Sequence, residues 1–168
     1  RRFMSLTQYL PVPNPAPQVI LRTTAYYRWR LEDFKMRHKH ENEYSPRYYL
    51  TYGEKYADRF YKKTRKQLSE RGKKWLDSTL LELQLIMEHQ LQADPSIEYD
   101  PDRFVDFAFQ SHVHAYQKTG FFQLPLKDIR LVLLTLDFKD SFVNRKGRRQ
   151  IIDISTRFFG TRFTPRRG

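Results

Sequence analysis

Four acidic residues near a tyrosine-rich stretch are the side chains best suited to acid–base chemistry in this sequence. Residues 44–61 contain six tyrosines, and the acids lie inside this stretch or just before it: Glu41, Glu43, Glu54 and Asp58. Paired carboxylates are the groups that glycoside-cleaving sites use. Because acids and tyrosines also share many helical surfaces that have no catalytic role, these four are weak catalytic candidates. The sequence does not establish an enzyme.

A histidine on a predicted helix is the fifth weak catalytic candidate. Asp102, Asp106, Gln110 and His114 follow one another at a spacing of four, which is one helix face. The acids on that face could orient His114 as a general base. Asp102 and Asp106 are explained more simply as acids in a first helical turn, where the helix dipole favours negative charge.

The sequence contains no motif for a metal or a cofactor. His38 and His40 are two residues apart, so on a helix they would point about 200° away from each other. The chain has no cysteine, which excludes disulfides, thiolate catalysis and cysteine-ligated metals. Neither a P-loop nor a dinucleotide-binding glycine motif occurs. We therefore expect no metal site and no cofactor.

A lysine-rich stretch interleaved with tyrosines is the main candidate for binding. Lysine and arginine neutralise phosphates, and exposed tyrosine rings can stack on nucleic-acid bases. The predicted polyanion-binding residues in this stretch are Lys55, Arg59, Lys62, Lys63 and Lys66, and the predicted stacking residues are Tyr52, Tyr56 and Tyr61. The alternative interpretation is a buried tyrosine face with a solvated lysine face opposite it.

A second basic group lies near the C-terminal end of the sequence. Four cations open a helix predicted from about residue 148, where they oppose the helix dipole and so favour an external anion. Three more arginines follow that helix. The predicted polyanion-binding residues of this group are Arg145, Lys146, Arg148, Arg149, Arg162, Arg166 and Arg167.

The formal net charge of +12 is sorted along the chain into blocks. Residues 1–30 have five arginines and no acid, and residues 51–75 have nine cations against three acids. Residues 76–108 reverse the sign, with eight acids against Arg103 alone. Such sorting indicates a polyanionic partner. Alternatively, the basic block 51–75 and the acidic block 76–108 neutralise each other on neighbouring helices.

Apolar residues recur at helical spacing through most of the chain, and no alternating strand pattern occurs. The sequence therefore predicts an all-α fold, a compact bundle of six or seven helices preceded by an extended proline-rich arm. We expect a basic arm at residues 1–22, a single helical domain at 23–160 and a basic tail at 161–168. The predicted helices cover residues 23–43, 48–68, 70–93, 101–118, 125–134, 135–142 and 148–160.

Several helix ends are marked by capping residues. Thr24, Ser69 and Asp100 are the predicted N-caps, and Pro101 follows Asp100 at the first helical position. Asp94 before Pro95 predicts a helix end. Gly120 is the predicted left-handed residue after the next helix.

Prolines at every second position from Pro11 to Pro17 predict an extended segment near the start of the chain. This segment is either a stiff lead-in or an arm that lies across the domain or a protein partner. No apolar run reaches the length of a transmembrane helix, so none is expected. Composition does not assign a compartment.

Three functional interpretations remain open. The first is a basic helical module that binds a polyanion, with nucleic acid favoured. The second is a bacterial effector or toxin-like domain, including a hydrolase of an anionic cell-envelope polymer or of nucleic acid. The third is a structural or assembly module whose N-terminal arm contacts a protein partner. All three predict a basic surface, so composition does not separate them.

Overall fold

The computed structural model of the protein describes residues 10–39 and 44–136. Within these ranges every regular element is helical and there is no β-strand, so the predicted all-α class is confirmed. The described part contains five α-helices: α1 Tyr26–Arg37, α2 Lys55–Arg59, α3 Glu70–Ala93, α4 Pro101–Lys118 and α5 Leu126–Thr135. The helices predicted after Thr135 lie outside the described residues, and the count of six or seven stays a prediction.

Helix α2 is the centre of a longer continuous helical region. A π-helical segment, Tyr49–Glu54, precedes it, and a second π-helical segment, Phe60–Thr64, and a 3₁₀ turn, Arg65–Gln67, follow it. The backbone stays right-handed helical at each junction. We call residues 49–67 the tyrosine helix, because its buried face consists mainly of tyrosines.

The predicted caps of the central helices are confirmed. The Ser69 hydroxyl accepts a hydrogen bond from the Gly72 amide and opens α3. Asp100 accepts one from the Arg103 amide and opens α4, with Pro101 at its first position. Helix α3 ends at Ala93 before Asp94, and Gly120 has the left-handed backbone (φ 84°) that glycine adopts without strain.

The predicted N-cap of the first helix is wrong by one residue. Ala25, not Thr24, occupies the N-cap position of α1, and no side chain caps this end. The hydroxyl of neighbouring Thr23 instead donates to the Ile20 carbonyl, which closes a turn before the helix. Helix α1 also ends earlier than predicted, at Arg37, where the His38 amide still bonds to the Phe34 carbonyl.

The core of the described residues divides into two clusters. The first, which we call the arm cluster, packs α1, the first half of the tyrosine helix and the second half of α3 around Tyr26, Tyr49, Leu91 and Phe104. The second, the α5 cluster, packs Phe60, the start of α3 and α5 around Trp75, Phe121 and Val132. The tyrosine helix contributes to both clusters and therefore links them.

The proline segment, residues 10–22, packs against α1 and α3. Residues 10–17 form no helix or strand, and Pro13, Ala16 and Leu21 are buried. Side chains hold its main chain: Gln92 Nε2 donates to the Pro13 carbonyl at 2.8 Å, and the Ala16 amide donates to Glu88 at 2.9 Å. These contacts favour the interpretation of an arm that lies across the domain. The domain boundaries stay predictions.

Charged side chains are buried beneath the proline segment. Arg30 is fully buried and bonds to the Asn14 carbonyl and, at 3.2 Å, to Asp33. Arg37 bonds to Asp33 and to Glu98, at 2.8 Å each. Because each buried charge has an opposite charge beside it, its desolvation is offset.

Candidate anion-binding surface

The basic block 51–75 and the acidic block 76–108 meet in one described ion pair. Arg65 Nη2 lies 2.8 Å from Asp77 Oδ2, and the Tyr61 hydroxyl donates to the same carboxylate at 2.7 Å. These two hydrogen bonds hold the pKa of Asp77 below its ordinary value, and the bond from Arg65 has the larger effect. Between the described residues of the two blocks, mutual neutralisation is therefore confined to this contact.

Four of the remaining seven acids of residues 76–108 form ion pairs, three of them with cations outside this block. Arg30 and Arg37 of α1 form ion pairs with Glu88 and Glu98 respectively. Lys118 forms one with Glu82 at 2.8 Å. Asp94 pairs with Arg103 inside the acidic block. Half of the eight acids of the acidic block thus pair with cations of α1 and α4, and within the described residues only Asp77 pairs with the basic block.

Three helix ends converge at Ser69, the N-cap of α3. The buried carboxylate of Asp128, in the first turn of α5, accepts from the Ser69 amide at 2.9 Å and from the Ser69 hydroxyl. The tyrosine helix ends at Gln67, two residues before Ser69. The starts of α3 and α5 and the end of the tyrosine helix are therefore fixed beside one another.

Six exposed cations lie near this convergence along the chain, and none of them has an ion-pair partner within residues 10–39 and 44–136. They lie within six residues of Ser69 or two residues of Asp128 along the chain. We call them the basic junction: Lys63, Lys66, Arg71, Lys74, Lys127 and Arg130.

The acids next to the basic junction are already engaged. Glu70 binds Lys73 at 2.9 Å, a hydrogen bond that lowers the pKa of Glu70, and Asp77 binds Arg65. Asp128 is buried against Ser69. The N-termini of α3 and α5 add partial positive charge at the same place. This region therefore has an excess of positive charge open to solvent.

The other predicted polyanion-binding residues of the tyrosine helix have contacts of their own. Arg59 donates to the Thr135 carbonyl at 3.2 Å and its guanidinium lies 5.0 Å from the centre of the Tyr56 ring. Lys55 Nζ lies 5.5 Å from the centre of the same ring. Lys62 pairs with Asp58 at 3.3 Å but stays largely exposed. Only Lys63 and Lys66 of the predicted set belong to the basic junction.

The three predicted stacking tyrosines are not equally accessible. Tyr52 and Tyr56 are buried in the arm cluster, 6% and 5% exposed, and do not present a free ring face to solvent. Tyr61 is half-buried, its hydroxyl is bound to Asp77, and the guanidinium of Arg65 lies 6.0 Å from its ring centre. The interpretation of a buried tyrosine face therefore holds for Tyr52 and Tyr56.

The weak catalytic candidates do not converge within the described residues. Glu54 forms a two-point ion pair with Arg28, both bonds being 2.9 Å long, and Asp58 pairs with Lys62. His114 is exposed on α4. Glu41 and Glu43 lie outside the described residues. Glu54 and Asp58 thus lie one turn apart on the tyrosine helix, each already in an ion pair, and His114 lies on a different helix.

Two further predictions concern metals and the C-terminal cations. No group of three or more His, Asp or Glu side chains that could hold a metal occurs in the part of the chain that the structure describes. None of the helices in the described ranges is both long and apolar enough to cross a bilayer. Arg145, Lys146, Arg148, Arg149, Arg162, Arg166 and Arg167 lie outside the described residues.

Four members of the basic junction were not among the residues singled out from the sequence. Arg71 and Lys74 lie in the first turns of α3, and Lys127 and Arg130 in the first turns of α5. Arg71 and Lys127 are the second residues of their helices, where a cation opposes the dipole as it does in the helix predicted from about residue 148. Lys74 and Arg130 are the fifth residues and lie beyond the first turn. No sequence pattern predicted that the starts of α3 and α5 lie next to each other.

Comparison with known proteins adds no functional information. No family model, curated protein or solved structure matches this chain.

Proposed function

We propose that the chain is a basic helical module that binds a polyanion, and that the polyanion is nucleic acid. The observation that carries this proposal is the basic junction, six exposed cations whose neighbouring acids are already engaged. Lysine and arginine side chains that are free of internal partners can neutralise phosphates and release counterions. The Arg-rich residues 145–167 are proposed as a second part of the same binding surface.

Phosphate contacts dominate the proposed binding mode. Tyr52 and Tyr56 are buried, so stacking on bases is left to Tyr61 at most. Contacts to the phosphate backbone fix a protein on nucleic acid without reading its sequence. We therefore expect little preference between base sequences and a strong dependence of affinity on salt.

The test is a titration of labelled single-stranded DNA, duplex DNA and RNA with the full chain at several salt concentrations. The logarithm of the binding constant should fall linearly with the logarithm of salt concentration. The triple variant Lys63→Gln, Lys66→Gln, Lys127→Gln should lower the steepness of that dependence by about 2–3, which is roughly one for each lost phosphate contact.

The matched control removes the same charge from cations that are already paired, Lys35→Gln, Arg103→Gln and Lys118→Gln. This control should leave the salt dependence close to that of the unmodified protein. Absence of binding at physiological salt would overturn the proposal. An equal effect of the control and the junction variant would overturn the assignment to the basic junction. Tighter binding to polyphosphate or heparin than to nucleic acid would identify a different polyanion as the ligand.

A further inference from the structure

The residues of α5 divide into a buried arc and an exposed arc around the helix. Each residue of an α-helix is turned by about 100° from the one before it, so the position of each side chain around the axis follows from the sequence. The buried residues fall within one arc of about 120°, and they are Asp128, Ile129, Val132 and Thr135. The opposite side of the helix, which we call the outer arc, contains Leu126, Lys127, Arg130, Leu133 and Leu134.

Two leucines of the outer arc are open to solvent. Leu126 and Leu134 are each 71% exposed and are the two most exposed leucines of the described residues. Ile129 and Val132, on the buried arc, already pack in the α5 cluster. Isolated apolar side chains are ordinary on protein surfaces. These two leucines share one arc and lie about 12 Å apart along the helix axis, so they can enter one apolar layer together.

The outer arc is also positively charged. Arg130 lies between the two exposed leucines, and Lys127 lies at the edge of the arc. Neither cation has an ion-pair partner in the part of the chain that the structure describes. The one acid of α5, Asp128, is on the buried arc and bonds to Ser69. The outer arc therefore combines exposed apolar side chains with uncompensated positive charge.

An anionic bilayer surface is the partner that fits both properties. Its headgroup phosphates attract lysine and arginine, and its acyl layer accepts leucine side chains. Nucleic acid fits the cations but offers the leucines no comparable apolar layer. A second copy of this chain, at a net charge of +12, and residues 137–168, with nine cations against three acids, both repel the cations of the arc. Charge complementarity therefore favours the bilayer over either of them.

We propose that the outer arc of α5 docks on the surface of a bilayer that contains anionic lipid. Leu126 and Leu134 enter the boundary between headgroups and acyl chains, while Lys127 and Arg130 stay at the level of the phosphates. The buried arc keeps its contacts with the α5 cluster, so the protein lies on the membrane without spanning it. This inference goes beyond the proposed nucleic-acid binding and does not depend on it, because the exposed leucines carry it.

Co-sedimentation of the full chain with lipid vesicles at physiological salt is the first test. One set of vesicles contains phosphatidylcholine alone, and the other contains phosphatidylcholine and phosphatidylglycerol in equal parts. We expect binding to the mixed vesicles to be at least about tenfold stronger, since each cation near an anionic surface contributes about fivefold.

The variants separate insertion of the leucines from attraction of the charges. The double variant Leu126→Gln, Leu134→Gln should weaken binding to the mixed vesicles at least about tenfold, because two apolar side chains no longer leave water. The matched control Val19→Gln, Met36→Gln removes two equally exposed apolar side chains outside α5, 82% and 63% exposed, and should stay within about twofold of the unmodified protein. The leucine variant should bind DNA and RNA as the unmodified protein does.

A fluorescent label reports insertion directly. The chain has no cysteine, so Leu134→Cys creates a single labelling site for a fluorophore whose emission rises in an apolar environment. Emission should rise when mixed vesicles are added. The same label at Met36→Cys, an exposed position on α1, should not respond.

The proposal is overturned if the chain binds neither kind of vesicle, if it binds both kinds equally, or if the leucine variant and its control behave alike. Loss of DNA or RNA binding in the leucine variant, with vesicle binding unchanged, would assign the outer arc to the nucleic-acid interface instead. A dimer of the unmodified chain that the leucine variant abolishes would assign it to a second copy. All these substitutions lie at exposed positions, and circular dichroism should show unchanged helix content.

Discussion

At the residue scale, the contact between Gly72 and Asp128 leaves no room for a side chain at position 72. Asp128 is fully buried and binds Ser69, the residue that caps α3. A Cβ atom at position 72 would lie 2.6 Å from Asp128 Oδ2 and 2.8 Å from its carboxyl carbon. The junction of α3 and α5 therefore needs a glycine and a carboxylate at the same time.

We predict that Gly72→Ala lowers the free energy of unfolding by about 1–2 kcal/mol, because the clash outweighs the gain of up to about 1 kcal/mol in helix propensity. Asp128→Ala alone should cost about 1–3 kcal/mol through the unpaired Ser69 amide. In the Asp128→Ala background, Gly72→Ala should become neutral or stabilising, since the clashing carboxylate is gone.

Urea unfolding of the four proteins in this cycle, followed by circular dichroism, measures the coupling. Arg71→Ala, at an exposed neighbouring position, serves as the control and should stay within about 0.5 kcal/mol. Additive effects of the two substitutions would contradict the close contact.

Single residues that act locally could be predicted from the sequence, and residues that act over distance could not. The caps Ser69 and Asp100 bond within their own first turn, so a short pattern contains all the information. Arg30 is fully buried, and its partners Asn14, Asp33 and Glu88 come from three separate parts of the chain. No local pattern distinguishes such an arginine from one exposed to solvent.

At the element scale, the periodicity of the tyrosine helix predicted its buried face but not its geometry. Tyr49, Tyr52, Tyr56 and Phe60 recur every three or four residues and are all buried. The π-helical turns on both sides of α2 had no signal in the sequence.

The contact between the tyrosine helix and α3 should depend on pH through Asp77. Hydrogen bonds from Arg65 and Tyr61 hold the pKa of Asp77 below its ordinary value. An acid with a lowered folded-state pKa stabilises the fold above its unfolded pKa of about 3.9, and this contribution disappears as the pH falls through the folded pKa.

We expect Asp77→Asn to be less stable than the unmodified protein at pH 7 by less than about 1 kcal/mol, because the pair is half-exposed and screened. The difference should shrink to near zero at about pH 2. Urea unfolding across this range measures it. Asp106→Asn, at a position on α4 with no ion-pair partner within the described ranges, should show no such convergence, and a constant deficit for Asp77→Asn would contradict the mechanism.

At the scale of the whole molecule, the proline segment joins parts of the fold that are distant in sequence. Its amides and carbonyls bond to side chains of α1 and α3, with Arg22 N–H donating to Gln84 Oε1 at 2.6 Å and Ala16 N–H to Glu88. Alternating prolines predicted the absence of a helix at residues 10–17, where the structure has neither helix nor strand. The surface on which the segment packs could not be predicted without the tertiary structure.

We predict that the proline segment docks as one unit. The substitution Glu88→Ala removes the acceptor of the Ala16 amide and should accelerate hydrogen exchange at both Ala16 and Arg22 by at least about tenfold, a loss of roughly 1.4 kcal/mol of protection. Glu82→Ala, on the same helix but paired with Lys118, should change neither amide. Faster exchange at Ala16 alone would show that the contacts are independent.

The long reach of these contacts also sets an order of events during synthesis. Pro13 and Gln92 are separated by 79 residues, and Ala16 and Glu88 by 72. At about 5–20 residues per second, a ribosome needs roughly 4–16 s to add that length of chain. The proline segment is thus made early and must wait, its backbone bound to water, until α3 has been translated. Completion of the arm cluster is consequently a late step, timed by translation rather than by the speed of helix formation.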